Sequence, residues 1–270
     1  MASRAGYVRL LSTINKKFPM HSTQRPMLIG HRGAAGLAPE NTIASFAKAI
    51  EIGVDAVELD VRASRDGQVV VIHDAAVDRT TNGAGKVADL SAAEIRGLDA
   101  GGWFGPKYAG QRIPLLREAL KLIGVETVCC VEVKELGLAR EIADIIQKAG
   151  ASDSVRVLSF MAEYGAALKS LSVGLPFVLL GAPSAEEIES DPRAWIRRAI
   201  EAEATALSLQ FRGIVPHLVS EAHAAGLDVW AWTVNELGDM LHLVEMGVDA
   251  IASDRPDILV RTLRPDGKVP

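Results

Sequence analysis

The feature that most constrains this chain is an alternation of short, β-rich apolar runs with longer helix-compatible segments, repeated eight times. The runs fall at 27–31, 55–61, 127–134, 155–160, 176–180, 206–210, 228–233 and 249–252. Several are apolar without clean alternation, as expected for parallel strands covered by helices. Eight such units favour an α/β fold of the TIM-like (β/α)8 barrel type over an open doubly wound sheet. The 270 residues are enough for one such domain, although length alone would also allow two smaller ones.

The helical segments keep the same rhythm. Between 41 and 52, Ile43, Phe46, Ala47 and Ile50 fall near one face, and Gly53 marks a stop. Pro114 is read as starting a helix whose buried face includes Leu116, Leu120 and Ile123, ending near Gly124. Asn235 is read as the cap of a segment containing Leu241, Val244 and Met246, with Gly247 beyond it. One interval breaks the rhythm. A further β run at 68–73 is followed by glycine-rich stretches at 82–85 and 101–105 before Pro114. We expect an excursion over one face of the barrel, at 74–113, rather than a separate core, with Trp103 and Phe104 either anchoring it or lining an entrance; such loops often carry binding functions on a rigid scaffold. The expected organisation is a leader or surface arm at 1–26, the barrel at 27–262 and a tail at 263–270.

Composition narrows the function. The formal charge of −5 comes without any extended Lys/Arg tract, which argues against nucleic acid as a partner and leaves room for a phosphate-bearing small molecule. No run approaches the roughly 18 apolar residues of a membrane span, so no stable membrane insertion is expected. The apolar part of 1–26 is too broken for a secretion signal, and a cytoplasmic protein is expected. Cys129 and Cys130 are neighbours, with Cα atoms about 3.8 Å apart, below the usual disulfide range. They read as two buried thiols in a reducing compartment rather than a redox or metal pair. A surface apolar stripe could form an oligomer interface, but every barrel helix needs one for packing, and no sequence feature separates the two uses.

Polar groups gather where the strands end. His31 closes the first run, Glu58 and Asp60 lie near the end of the second, and Glu132 and Lys134 end the third. Strand side chains alternate, so Glu58 and Asp60 share one face, as do Glu132 and Lys134, while Val57, Leu59, Val131 and Val133 face the helices. Three carboxylates near neighbouring strand ends repel one another, and a divalent cation offsets that repulsion. Oxygen-rich ligation suits Mg²⁺ or Ca²⁺. The competing reading is a Glu–Lys/Arg ion network that only stabilises the barrel mouth. Arg32 could grip phosphoryl oxygens with two hydrogen bonds, and Gly33 would allow close backbone approach. His31, and His73 after the additional β run, are proton-transfer candidates, although either could be structural.

The ordered set His31-Arg32-Gly33, Pro39-Glu40-Asn41-Thr42, Glu58-Leu59-Asp60-Val61, His73-Asp74, Asp78-Arg79-Thr80-Thr81-Asn82-Gly83 and Val131-Glu132-Val133-Lys134 resembles the glycerophosphodiester phosphodiesterase family. The match continues through Ser159-Phe160, Trp232-Thr233-Val234-Asn235 and Ser253-Asp254-Arg255-Pro256, and spans roughly 27 to 262. The resemblance implies a TIM-like barrel with a family-specific excursion after strand 2. It also implies metal-dependent hydrolysis of glycerophosphodiesters to sn-glycerol 3-phosphate and an alcohol. It maps Glu58, Asp60 and Glu132 to metal ligands, His31 and His73 to the acid/base pair, and Arg32 and Lys134 to phosphate binding. Glu40 would support the site and Trp232 line the substrate pocket. The stretch from Ala250 to Asp254 departs from the Gly- and Thr-rich version common in the family, which bears on the alcohol more than on the chemistry. Two other activities fit the same residues: a lysophospholipase D or sphingomyelinase D-like enzyme that forms a cyclic phosphate, with an apolar entrance around Trp103, Phe104 or Trp232, and a non-catalytic phosphate-binding regulatory barrel.

Overall fold

The computed structural model describes residues 25–191 and 193–264. The expected leader up to residue 24 and the expected tail from residue 265 lie outside the described residues. Among the described residues, nine strands form one sheet: β1 (Met27–Gly30), β2 (Ala56–Ala63), β3 (Val69–Val71), β4 (Val128–Val133), β5 (Val155–Ser159), β6 (Phe177–Gly181), β7 (Ala206–Gln210), β8 (Asp228–Trp232) and β9 (Ala250–Ser253). All neighbours run parallel except β3, which pairs antiparallel with β2. The order β1-β9-β8-β7-β6-β5-β4-β2 is closed by the β1–β2 pairing, leaving eight parallel strands in the ring. This is the expected (β/α)8 barrel, and the eight runs read from the sequence are its strands.

Helices α1 (Ile43–Ile52), α3 (Leu116–Ile123), α4 (Ala139–Lys148), α5 (Glu163–Ser170), α6 (Ala185–Ser190), α7 (Arg193–Glu201), α8 (Pro216–Ala224), α9 (Leu237–Met246) and α10 (Pro256–Leu263) follow the strands, and α2 (Ala92–Gly97) lies in the excursion. Helix α1 occupies the expected segment from Ile43 on: Thr42 accepts a hydrogen bond from the Ser45 amide, and Gly53 ends the helix at φ 90°, as expected. Two expected starts are corrected. Helix α3 is capped at Leu115, because the Pro114 carbonyl is used to accept the Val71 amide. Helix α9 is capped at Glu236; the Asn235 side chain instead binds Ser253 and Asp254, where the chain is closing the ring.

The period-2 alternation sorts side chains into two layers. Val57, Leu59, Val131 and Val133 belong to the large apolar cluster between strands and helices. Ile29, Ala56, Cys130, Leu158, Val178, Leu180, Ala206, Trp230, Ala250 and Ala252 form a second cluster inside the ring. Cys129 and Cys130 therefore sit on opposite sides of the same strand, both buried and unbridged. Along β2 and β4 the inward positions become charged toward the strand ends, and this gradient from an apolar floor to a polar mouth positions the site.

The excursion packs around an apolar cluster that it shares with β3 and with Leu115. Val70, Ile72, Val77, Val87, Ala92, Ile95, Ala100, Ile113 and Leu115 form a third buried cluster. Its short helix α2 is held by a reciprocal cap between Ser91 and Glu94. Trp103 and Phe104 are outside that cluster: Trp103 is 43% exposed and meets Phe104 edge to face at 5.6 Å, and Phe104 meets Tyr108 in the same way at 5.5 Å. The Tyr108 hydroxyl donates to the Leu37 carbonyl, fastening the excursion to the loop after β1.

Candidate active site

Register brings the carboxylates together. Asp60 on β2 lies opposite Glu132 on β4, and Glu58 stands two residues before Asp60 on the same inward face. One carboxylate oxygen from each of Glu58, Asp60 and Glu132 lies within 4.8 Å of the others, and all three residues are buried. Glu58 Oε1 is buried and has no hydrogen-bond partner among the described residues. Burial, reinforced by the Asp60 charge, raises the pKa values of Glu58 and Glu132. Burial opposes ionisation of Asp60 too, but Lys134 and Arg32 outweigh it and hold this carboxyl below the usual range. Such an arrangement is short of positive charge, and its all-oxygen donor set, with one donor unused, fits a hard divalent cation.

The cationic side chains lie against these acids. Lys134 Nζ is 2.8 Å from Asp60 Oδ1 and also contacts Glu132 Oε1. Arg32 Nη1 donates to Glu40 Oε1 at 2.8 Å, its Nε is 3.2 Å from Asp60 Oδ2, and its backbone amide donates to Glu58 Oε2 at 2.8 Å. Asn41 Nδ2 donates to Asp60 Oδ2 at 2.7 Å. Gly33 has a packing role: at φ +86°, a Cβ there would lie 2.5 Å from Ser45 Oγ. The tight turn this permits carries the Arg32 amide to Glu58.

The two histidines differ in setting. His31 Nδ1 is 2.7 Å from Asp254 Oδ1, and Nε2 is 4.0 Å from Glu58 Oε2. Burial alone would lower the His31 pKa, but the Asp254 hydrogen bond and Glu58 raise it above the ordinary histidine value. His73 Nδ1 is 2.7 Å from Asp74 Oδ1, and Arg62 Nε donates to the His73 carbonyl at 2.8 Å. Burial, helped by Lys134 and Arg32, lowers the His73 pKa despite Asp60 and Asp74.

These groups border one cavity of about 650 Å³, counting its open mouth. His31, Arg32, Glu58, His73, Glu132 and Lys134 make its polar side; Leu158, Phe160, Leu180, Trp230 and Trp232 make an apolar side. Trp232 meets Phe160 edge to face at 5.8 Å, and its indole N–H donates to the Ser208 carbonyl at 3.0 Å. Asp60 and Glu40 stand behind the polar lining through their bonds to Lys134 and Arg32. Trp103 and Phe104, entrance candidates from the sequence, do not line the cavity. Asp254, Asp74, Arg79, Arg62 and Asn41 join the site only in the fold. The motifs contained four of them, but their partners were invisible before the chain was folded.

The model of the Glycerophosphoryl diester phosphodiesterase family matches residues 31–258. A glycerophosphodiester phosphodiesterase of Caldanaerobacter subterraneus subsp. tengcongensis is 36% identical over 249 residues, covering 90% of this chain and 100% of that protein. Among solved structures, an Oleispira antarctica phosphodiesterase in complex with the product sn-glycerol-3-phosphate is similar at a TM-score of 0.81 and 32% identity, covering 89% of this chain and 97% of that one. A glycerophosphodiester phosphodiesterase of Agrobacterium tumefaciens is similar at a TM-score of 0.72 and 30% identity, covering 86% of this chain and 98% of that one.

Proposed function

We propose that this chain, which belongs to the Glycerophosphoryl diester phosphodiesterase family, hydrolyses glycerophosphodiesters to sn-glycerol 3-phosphate and an alcohol through a carboxylate-held cation and two histidines. The observation that carries this division of labour is the buried Glu58–Asp60–Glu132 cluster, with its unpartnered Glu58 oxygen, on the same cavity as His31 and His73. Glu58, Asp60 and Glu132 would hold the ion, Mg²⁺ or Ca²⁺. A bound divalent cation supplies Lewis-acid stabilisation of charge on the phosphoryl oxygens.

Arg32 and Lys134 bind the phosphate from the polar side, each held by an acid behind it. His73, whose pKa is lowered, takes a proton from the attacking water, and His31, whose pKa is raised, gives one to the departing alkoxide. Water oxygen joins phosphorus as the alcohol oxygen leaves, so a diester and water become a monoester and an alcohol. Asp254 and Asp74 fix the two rings through Nδ1. Trp232 and Phe160 cover the apolar side of the substrate. No helix among the described residues is long and apolar enough to cross a membrane.

The apolar cavity wall is the observation behind the lysophospholipase D alternative. Glycerophosphocholine and lysophosphatidylcholine should be compared at equal concentration, with Mg²⁺ or Ca²⁺ and with chelator. Release of sn-glycerol 3-phosphate from the first, abolished by chelator and restored by cation, is expected. Dominant turnover of the second would replace this reading, and no turnover of either by folded, cation-loaded protein would favour a binding barrel.

A further inference from the structure

Arg79 lies in the excursion beyond His73, outside the cavity lining, yet its guanidinium meets two acids that each hold a group of the site. Its Nε is 2.6 Å from Asp74 Oδ2 and its Nη2 is 3.1 Å from Asp74 Oδ1. Its Nη1 and Nη2 are each 2.8 Å from a Glu40 oxygen, Oε2 and Oε1 respectively. On their other sides, Asp74 Oδ1 holds His73 Nδ1 at 2.7 Å and Glu40 Oε1 accepts from Arg32 Nη1 at 2.8 Å. We propose that Arg79 is a positioning residue that sets His73 through Asp74 and Arg32 through Glu40, so that one side chain of the excursion aligns both proton transfer and phosphate binding. The proposal rests on the roles given above to His73 and Arg32.

The chemistry requires an arginine. A planar guanidinium presents several donors in a fixed fork and serves two carboxylates at once, whereas an ammonium is a point charge without that fork. On the Asp74 arm, two donors fix the carboxylate plane and hence the face it offers His73. On the Glu40 arm the issue is charge. Arg32 already lies 3.2 Å from Asp60, and its amide serves Glu58. Sharing Glu40 between two guanidinia leaves more of the Arg32 charge for a phosphate. The Arg79 side chain is 47% exposed, so removing it takes little from the core.

The test compares Arg79→Met, Arg79→Lys, Asp74→Asn, Glu40→Gln and the double variants Arg79→Met/Asp74→Asn and Arg79→Met/Glu40→Gln. The substrate is glycerophosphocholine with saturating Mg²⁺. Arg79→Met should lower kcat by roughly 10–100-fold, the scale of outer partners in active centres, and should raise KM. His73 faces Asp74 on its own loop, Asp60 on β2, Lys134 after β4 and Arg32 after β1. Loss of the Arg79 cation leaves Asp74 less compensated, so His73 holds its proton to higher pH and the acid limb of kcat/KM moves up. The kcat loss should shrink to below about threefold in the Asp74→Asn background, and the KM rise should shrink likewise in the Glu40→Gln background, because acts through a shared partner do not add. Arg79→Lys should fail to restore both arms. Losses that multiply in both double variants would overturn the proposal. If Arg79→Met does not fold by circular dichroism, a folded Arg79→Lys with unchanged kcat, KM and pH profile would overturn it instead. His73→Ala separates the two levels: normal turnover there sinks the reading beneath, while an inactive His73→Ala beside an uncoupled Arg79 sinks only this proposal.

Discussion

His31 Nδ1 and Asp254 Oδ1, 223 residues apart in the chain, lie 2.7 Å from each other at the seam where β1 meets β9. Asp254 is itself held in place through its backbone amide and Oδ2, both bonded to Asn235. The pair fixes the His31 ring so that Nε2 points toward the Glu58 carboxylate at 4.0 Å.

Asp254→Asn should therefore lower the His31 pKa and leave less of the proton donor in its protonated form. The Asp254 carboxylate raises the His31 pKa against burial, which lowers it. Without that charge His31 loses its proton at lower pH, and the alkaline limb of kcat/KM should shift downward. We expect kcat to fall roughly 10–100-fold. A pH–rate profile checks the sign; an unshifted alkaline limb would remove His31 from the role of proton donor.

His73→Ala should lower kcat by roughly 10²–10⁴-fold, the usual scale of general acid/base catalysis. Folding and cation affinity should persist, since His73 is partly exposed and contributes nothing to the carboxylate cluster. Kinetics with calorimetric cation titration decide this, and near-normal turnover by the folded, loaded variant would count against it.

Trp232→Ala should raise KM about tenfold, equivalent to losing about 1.4 kcal/mol of apolar contact, with a smaller change in kcat. The indole is anchored to the Ser208 carbonyl and meets Phe160 edge to face, so it offers a preformed wall rather than a proton-transfer group. A kcat loss larger than the KM effect would show that the ring orients the reacting phosphate instead.

At the opposite end of the barrel, Asp55 accepts from the Leu28 amide and Arg25, and pairs with Arg264, whose side chain is only 4% exposed. Burial raises the Asp55 pKa, but Arg25, the Leu28 amide and Arg264 outweigh it, and the folded value lies below the ordinary one. This stabilisation is therefore present above the ordinary carboxylate pKa and is lost as pH falls through the lowered one. Asp55→Asn should cost about 3 kcal/mol at neutral pH, because it leaves the Arg264 charge buried, and less in acid. Urea unfolding at both pH values measures it.

The strands were legible because each is a short apolar run bounded by helical segments, and the carboxylate cluster because Glu58, Asp60 and Glu132 obey a period of two on strands that proved to be neighbours. The ring pairings of the histidines were not legible. Asp254 reaches His31 only through barrel closure, and Arg79 reaches Glu40 only through the fold of the excursion. That excursion lacks helical periodicity beyond its single short α-helix, so the members of its cluster around Ile95 and Val77 are not legible in the sequence. Asn before a helix reads as a cap, but the Asn235 amide is committed to Ser253 and Asp254.

Glu132→Gln tests the central claim most directly, because it keeps the size of the side chain and removes one charge from the proposed cation site. Calorimetric titration with Mg²⁺ and with Ca²⁺ should show affinity at least about tenfold weaker than in the unaltered protein, with severe loss of glycerophosphodiester turnover that added cation does not fully restore and an unchanged circular dichroism spectrum. Unaltered cation affinity and turnover would contradict the account and leave Glu132 as a member of an ion network with Lys134.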